Sequence, residues 1–259
     1  MRDMEPGELH VVRHGEGRPA VVLHGAGVDH REAEACFDPI LEAAGLRRIY
    51  PDLPGMGRSP AADELHSSDD VLHLMIRFVL AEVGPEPFLL VGHSWGAYLA
   101  QAMAARLWEQ VAGLALVCPV LPDEQDVPEH RPVVRSNGIG DHVFRGYFVV
   151  QTPEMYERYE RYVAPAADLV DEEAMERMGE NWGLSLAAKP YPGPTLVVAG
   201  RRDSTVGYAA AADLLHVHPR ATVAVVDEAG HALPHEEPEV LGALIRQWLV
   251  RVERARVSG

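Results

Sequence analysis

The chain has 259 residues, of which 47% are hydrophobic and 24% charged, the balance of an ordinary soluble globular protein. Its formal net charge of −16 argues against nucleic acid or an anionic membrane as a partner. It has only two cysteines, no signal-peptide pattern at its start and no apolar stretch approaching the ~20 residues that span a bilayer. We therefore expect a cytoplasmic protein without a disulfide framework.

Short apolar runs alternate with longer helical patterns along most of the chain. The runs predict strands at 9–12, 20–24, 47–52, 88–92, 114–119, 195–200 and 222–227. The patterns between them predict helices near 31–45, 68–83, 95–109, 206–217 and 237–253. Because several runs are apolar throughout, as strands covered on both faces are, the alternation predicts an α/β fold with a mostly parallel, doubly wound sheet.

One segment, residues 121–190, interrupts this alternation. It is Pro-rich at first and then acidic and helical in pattern, with a single weak strand candidate at 146–151. An excursion of this length between two core strands usually serves function, although a few extra surface helices would give the same pattern. We expect a helical cap, or lid, at 121–190, inserted into a core formed by 1–120 and 191–259.

A serine between two glycines stands where a predicted strand meets a predicted helix. The stretch Gly92-His93-Ser94-Trp95-Gly96 fits the G-x-S-x-G nucleophile elbow, a tight turn that exposes the serine hydroxyl. The following helix directs its free N–H groups and its dipole towards the serine. A helix-capping serine in an ordinary turn is the alternative. The strand before and the helix after favour Ser94 as a nucleophile.

A serine hydroxyl needs a base to take its proton, and an elbow of this kind has its partners in the chain order serine, acid, histidine. Asp203 follows the predicted strand 195–200, and His231 follows the predicted strand 222–227. Both therefore lie at the carboxyl ends of strands, the edge where open α/β sheets bind their ligands. The sequence predicts a catalytic triad of Ser94, Asp203 and His231.

Three other residues compete for these roles. His235 lies in the acidic run that opens the last predicted helix, where a surface position is expected. Asp227 is too near His231 in the chain to reach around it easily, and Asp52 belongs to a Pro- and Gly-rich turn that we interpret as structural.

Acyl transfer on a serine places negative charge on the carbonyl oxygen, and backbone N–H groups usually stabilise it. One should come from Trp95, directly after the nucleophile, and the other from Ala26, in the Gly-rich loop after the strand 20–24. That loop is not a nucleotide-binding G-x-G-x-x-G, because position 30 is His30. We expect a small-molecule substrate, with no cofactor and no metal ion; oligomeric state is left open.

Five segments together resemble the α/β-hydrolase superfamily, in family order and over nearly the whole chain: LHGAG, DLPGMGRS, GHSWGA, AGRRDSTV and AGHALPHEEP. By this resemblance Ser94 would be the nucleophile, His231 the general base and then acid, and Asp203 the carboxylate that orients it. Ala26 and Trp95 would form the oxyanion hole, and a helical lid would lie where the insertion is found.

The resemblance also limits the reaction. Dehalogenases and epoxide hydrolases of the superfamily use an aspartate nucleophile, so a serine implies hydrolysis of an ester, thioester, amide or carbon–carbon bond. We expect a small carboxylic ester as substrate. The GHSWG elbow is also similar to that of proline iminopeptidases, whose lid carboxylates hold a substrate amine, and a non-catalytic ligand-binding protein of the same fold is a further alternative. The corresponding lid carboxylates here would be Glu154, Glu157, Glu160 and Glu172.

Overall fold

The computed structural model describes residues 6–121, 127–135, 138–185 and 190–258. Its centre is a seven-stranded sheet in the order β1-β3-β2-β4-β5-β6-β7. The strand β1 pairs antiparallel with β3, and all other neighbours are parallel. The strands are β1 (Val11–His14), β2 (Pro19–Leu23), β3 (Arg47–Pro51), β4 (Phe88–His93), β5 (Val111–Val117), β6 (Thr195–Gly200) and β7 (Ala221–Val226). The predicted fold class is confirmed.

Two apolar cores cover the two faces of the sheet. In β4, Leu90 faces the core shared with α2 and α3, whereas Leu89 and Val91 face the core shared with α1 and α10. Successive side chains of a strand point to opposite faces, so a strand buried on both sides must be apolar throughout. The covering helices are α1 (His30–Glu42), α2 (Ser68–Val83), α3 (Trp95–Arg106) and α10 (Pro238–Ser258).

Two elements differ from the sequence-based prediction. The helix expected at 206–217 consists of a 3₁₀ turn, Ala209–Asp213, followed by the short α8 (Leu214–Val217). Gly207 has a φ of 74°, in the left-handed region, which a right-handed helix cannot contain. The weak strand candidate at 146–151 is not a strand, because its first two residues end a helix and only Val150 pairs, in an isolated bridge with Val134.

Between β5 and β6 the described regular structure is helical apart from one isolated bridge, and we call residues 127–135 and 138–185 the β5–β6 segment. Its helices are α4 (His142–Tyr147), α5 (Pro153–Tyr162), α6 (Ala164–Ala167) and α7 (Glu172–Gly179). Side chains of α4 and α5, including Phe144 and Tyr159, form a small apolar cluster that also contains Ala232. The segment therefore packs on the loop that carries His231. Within the described residues, no helix is long and apolar enough to cross a membrane.

The central strand β5 and the helix α10 pack so closely that only a glycine fits at position 113. A Cβ atom there would lie 2.5 Å from Val252 Cγ2 and 2.8 Å from Trp248 Cζ2. We expect Gly113→Ala to lower the free energy of unfolding, measured by urea denaturation, by about 1–3 kcal/mol. The control is Gly146→Ala in α4, where a Cβ atom would meet nothing within 4 Å. It should change stability by less than about 1 kcal/mol, in the stabilising direction. Equal effects of the two substitutions would contradict this packing.

Candidate active site

Ser94 sits in a sharp turn between β4 and α3. Its backbone has φ 55° and ψ −120°, a conformation that non-glycine residues rarely adopt. The Ser94 N–H donates to the carbonyl of Val117 at the end of β5 (2.9 Å), and its carbonyl accepts from the amides of Ala97 and Tyr98. The turn is thus held from both sides, by the sheet and by the first turn of the helix.

The two flanking glycines allow the backbone to approach itself. A Cβ atom on Gly92 would lie 2.4 Å from the carbonyl oxygen of Gly96. On Gly96 it would lie 2.4 Å from the carbonyl oxygens of both Leu23 and His24, at the end of β2. Neither position can accept a side chain, because real Cβ atoms do not approach backbone atoms so closely. The spacing of G-x-S-x-G therefore follows from the geometry of the turn.

A chain of hydrogen bonds joins Ser94, His231 and Asp203. Ser94 Oγ lies 2.9 Å from His231 Nε2, and His231 Nδ1 lies 2.8 Å from Asp203 Oδ2. All three residues are buried, Asp203 completely. Because an ionised Asp203 only accepts hydrogen bonds, it assigns the proton to His231 Nδ1 and leaves the Nε2 lone pair facing the serine hydroxyl. We call these three residues the Ser94 array.

Asp203 is held as a carboxylate inside the protein. Burial raises its pKa, but the neighbouring His231 and the amides of Val206 and Thr205 lower the pKa by more, so that the net shift is downward. The two amides donate to Asp203 Oδ1 at 3.0 and 2.9 Å, which leaves Oδ2 for the imidazole. One carboxylate oxygen of Asp203 therefore binds the backbone of its own loop, and the other binds His231.

The loops that carry Asp203 and His231 are fastened to each other. Gly200 ends β6, and a Cβ atom there would lie 2.3 Å from the carbonyl oxygen of Gly230. The Arg202 N–H donates to the carbonyl of Ala229 at 2.9 Å. This contact fixes the separation of the two loops independently of the hydrogen bond between Asp203 and His231.

Both residues predicted to supply oxyanion donors belong to chain segments next to Ser94. Trp95 follows it directly, and a Cβ atom on Gly25, the residue before Ala26, would lie 3.2 Å from Ser94 Cβ. Among the described residues, neither the Ala26 N–H nor the Trp95 N–H donates a hydrogen bond. Both amides are therefore free to bind a ligand oxygen, and their role stays a prediction.

His24 supports this loop from behind. Its Nδ1–H donates to the Gly25 carbonyl at 2.7 Å, and its Nε2 accepts from the Leu53 amide at 2.8 Å. Burial lowers the pKa of His24, in keeping with the neutral imidazole that this pair of bonds requires. The loop after β2 is thereby joined to the turn after β3.

The rival residues lie elsewhere. Asp227 is exposed and pairs with Arg201 at 3.5 Å, and Asp52 lies in the turn after β3, as expected. The expected surface position of His235 is wrong, because this residue is completely buried. The helix α1 covers it, bringing Cys36 and Glu32 against its ring. The acidic run in which it lies is typical of a solvent-exposed segment, but it forms the short helix α9 (Leu233–Glu236), whose four residues are all buried.

The fold and this arrangement agree with a comparison to known families. A model of the alpha/beta hydrolase family matches residues 20–244, well over half of the chain. The chain belongs to the α/β hydrolase family.

Individual relatives of this α/β hydrolase are enzymes. A 2-hydroxymuconate semialdehyde hydrolase from Pseudomonas putida is 25% identical, over 92% of this chain and 89% of its own. A pimeloyl-[acyl-carrier protein] methyl ester esterase from Aeromonas hydrophila subsp. hydrophila is 28% identical, over 86% of this chain and 91% of its own. The crystal structure of an alpha/beta superfamily hydrolase from Oenococcus oeni PSU-1 has a TM-score of 0.89 and 26% identity, covering 98% of this chain and 100% of that one. The chain spans about half the length of one further curated relative, and its match to another covers about half of each of the two chains.

This hydrolase also has a polar cluster next to His231 that sequence reasoning missed. We call it the Glu32 network, and it consists of the buried Glu32, His93 and His235 and the half-buried Tyr147. Glu32 Oε1 accepts from the Tyr147 hydroxyl at 2.8 Å and from His235 Nε2 at 3.3 Å. Glu32 Oε2 lies 3.8 Å from His93 Nδ1.

The Glu32 network touches His231 and its loop at two points. His93 Nε2 donates to the carbonyl of His231 at 3.0 Å, and the two rings lie 5.0 Å apart. Burial lowers the pKa of His93 to about 4, so that this neighbour of His231 is neutral near pH 7. The Tyr147 ring, from the β5–β6 segment, packs edge-on against His231 at 6.0 Å. The network thus links α1, the β5–β6 segment and the loop of His231.

A second buried carboxylate, Glu236, fastens the same loop. Its Oε2 accepts from the Gly230 amide at 2.7 Å, and its Oε1 accepts from the amides of Val149 and Val150 at 2.7 and 3.1 Å. One side chain therefore satisfies backbone donors from both the loop of His231 and the β5–β6 segment. The sequence offered no signal for this role, because Glu236 lies in a run of acidic residues.

The Glu32 network predicts a pH-dependent contribution to stability. Burial raises the pKa of Glu32, but its bonds with His235 and Tyr147 and its proximity to His93 lower it from 4.5 to about 2. The folded-state value lies below the ordinary one, so the contribution is fully present above about pH 5 and is lost as the pH falls towards 2. We expect the stability difference between wild type and Glu32→Gln to shrink by up to about 3 kcal/mol over that window.

Urea denaturation at pH 7, 5, 4 and 3 measures this difference. Glu157→Gln, at an exposed position in α5, is the matched control for loss of one carboxylate. A stability difference for Glu32→Gln that stays constant from pH 7 to pH 3 would show that Glu32 is not held ionised by its neighbours.

Proposed function

We propose that the protein is a cofactor-independent serine hydrolase that cleaves a small carboxylic ester through an acyl-enzyme on Ser94. The observation that carries the proposal is the continuous hydrogen-bonded chain from Ser94 through His231 to Asp203, at a serine with a positive φ. A helix-capping serine needs neither of these features. Membership of a family of hydrolytic enzymes supports the same conclusion and argues against a non-catalytic binding role.

The first half of the reaction forms the acyl-enzyme. His231 Nε2 takes the proton from Ser94 Oγ as this oxygen attacks the ester carbonyl carbon. The Ala26 and Trp95 amides bind the resulting oxyanion, and Asp203 stabilises the imidazolium. The tetrahedral intermediate then collapses. The bond from carbon to the alcohol oxygen breaks, and His231 gives its proton to the departing alcohol.

The second half frees the enzyme. Water loses a proton to His231 Nε2 and attacks the acyl carbon, and a second oxyanion forms in the same position. When this intermediate collapses, Ser94 Oγ leaves and recovers the proton, and the carboxylic acid is released. No external oxidant, metal or cofactor enters this balance. We place the reaction on a small molecule in the cytoplasm, with residues 121–190 acting as the cap over the site.

The choice of an ester rests on the named relatives and on the positions of the acidic residues in the β5–β6 segment. The esterase from Aeromonas supports it by name, whereas the hydrolase from Pseudomonas is named for 2-hydroxymuconate semialdehyde and not for an ester, so that carbon–carbon hydrolysis is the second candidate. An aminopeptidase would need carboxylates aimed at a substrate amine. The four acidic residues that suggested one are all exposed on α5 and α7: Glu154, Glu157, Glu160 and Glu172.

Removing the nucleophile or its orienting carboxylate tests the mechanism. We expect Ser94→Ala and Asp203→Asn to lower kcat/KM for a short p-nitrophenyl ester by at least about 10³-fold. Asp203→Asn acts by failing to hold the Nδ1–H tautomer of His231. Ser185→Ala, an exposed serine bonded to Asp69, is the matched control and should keep full activity. Retention of ester hydrolysis by purified Ser94→Ala would refute the proposal.

A substrate panel separates the candidates within this mechanism. We expect p-nitrophenyl esters of increasing acyl length to be cleaved faster than the matching amino-acyl arylamides and faster than a vinylogous diketone. Preference for the arylamides would favour the aminopeptidase, and preference for the diketone would favour carbon–carbon cleavage. Either preference would leave the role of Ser94 in place and overturn only the ester assignment.

A further inference from the structure

Three potential metal ligands lie together where the loop that carries Ala26 enters α1. His10 immediately precedes β1, His30 is the first residue of α1, and Asp52 immediately follows β3. Their donor atoms all lie within 4.8 Å of one another. Two imidazole nitrogens and a carboxylate form a ligand set that suits zinc and its transition-metal neighbours better than magnesium or calcium.

The donor atoms are close enough for one cation to bridge them. His30 Nδ1 donates a hydrogen bond to Asp52 Oδ1 at 2.7 Å, and Asp52 Oδ2 lies 2.9 Å from His10 Nδ1. Ligand atoms in the tetrahedral geometry that zinc prefers, with bonds of about 2.0–2.2 Å, are about 3.4 Å apart, so a bound cation would widen these two contacts by about 0.5–0.7 Å. Among the described residues, His10 Nδ1 is buried and has no hydrogen-bond partner, although Asp52 Oδ2 is so close. That nitrogen is not explained by a histidine–aspartate hydrogen bond.

The ligands are held in place before any cation arrives. The His10 N–H donates to Ser59 Oγ at 2.9 Å, and the His10 carbonyl accepts from the Asp52 amide at 2.9 Å. The Asp52 carboxylate accepts from the amides of His30 (2.8 Å) and Arg58 (2.9 Å). Such bonds around metal ligands reduce the ordering that binding would otherwise require.

The group is also accessible from one side. The Asp52 side chain is 0% exposed and that of His30 11%, whereas that of His10 is 25% exposed. A cation can therefore enter past His10 and keep water on its remaining coordination positions. Burial of the Asp52 carboxylate makes a neighbouring positive charge favourable, and a bound cation would supply one.

We propose that His10, His30 and Asp52 bind one divalent cation of the zinc class. Each ligating Nδ1 must be free of its proton, so any proton it carries is released to solvent as the cation binds. The bound cation would brace the start of β1, the start of α1 and the turn after β3. This departs from the sequence-based expectation of no metal ion, because the three ligands lie on separate elements with no common motif.

The site is independent of the proposed hydrolysis. Its ligands do not include any residue of the Ser94 array, and the turn after β3 connects it to the Ala26 loop through the bond from the Leu53 amide to His24. Its role is therefore structural, and its test needs no substrate.

The test uses the full chain after treatment with a chelator, titrated with Zn²⁺ by calorimetry. We expect one tight site per chain, an increase in Tm with Zn²⁺, and no increase with Mg²⁺. His10→Asn, which can still donate a hydrogen bond to Asp52, should weaken Zn²⁺ binding at least tenfold. His73→Ala, an exposed histidine of α2, controls for adventitious binding by the 13 histidines and should leave the tight site unchanged.

Wild-type protein loaded with Co²⁺ supplies a measurement that does not depend on a variant. A second three-residue group, His93, Cys118 and His231, could also hold a cation but would do so through a thiolate. We expect the Co²⁺ protein to lack a thiolate-to-metal charge-transfer band. Such a band, equal Zn²⁺ affinity in wild type and His10→Asn, or absence of a tight site would each overturn the proposal.

Discussion

The close approach of α3 to the end of β2 is the constraint on which the site depends. Gly96 packs against the carbonyls of Leu23 and His24 with no room for a Cβ atom, so the chain must turn within two residues of β4. This turn forces Ser94 into a positive φ. It also brings the loop after β2 beside the serine. One contact therefore determines the positions of both the Ser94 hydroxyl and the loop that carries the Ala26 amide. The strain of the serine is held by the sheet and helix around it.

The other side of the site is organised by backbone contacts between loops. Gly200 lies so close to Gly230 that it cannot carry a side chain, and the Glu236 carboxylate accepts a hydrogen bond from the Gly230 amide. Asp203 and His231 can therefore form a short hydrogen bond without also having to hold their loops together. A polar chain of this kind works best when its supports are rigid, because a displacement of about 1 Å would break the alignment with Ser94.

The fold and the Ser94 array could be predicted from the sequence because both depend on local patterns. Strands buried on both faces must be apolar throughout, and the elbow needs glycines at two fixed positions. The Glu32 network could not be predicted in this way. His235 and Glu236 lie in an acidic, Pro-flanked run, and only the packing of α1 and the β5–β6 segment buries them. Burial by distant elements has no signature in the buried stretch itself.

The central claim is that His231 and Asp203 activate Ser94 as a nucleophile, and covalent labelling tests it most directly. A fluorophosphonate reacts with an activated serine, and mass spectrometry of the digested protein locates the adduct. The account predicts a single adduct on the peptide that contains Ser94, formed rapidly in wild type and at a greatly reduced rate in His231→Ala. An adduct on another residue, no adduct at all, or equal labelling of Ser94 in the two proteins would contradict it.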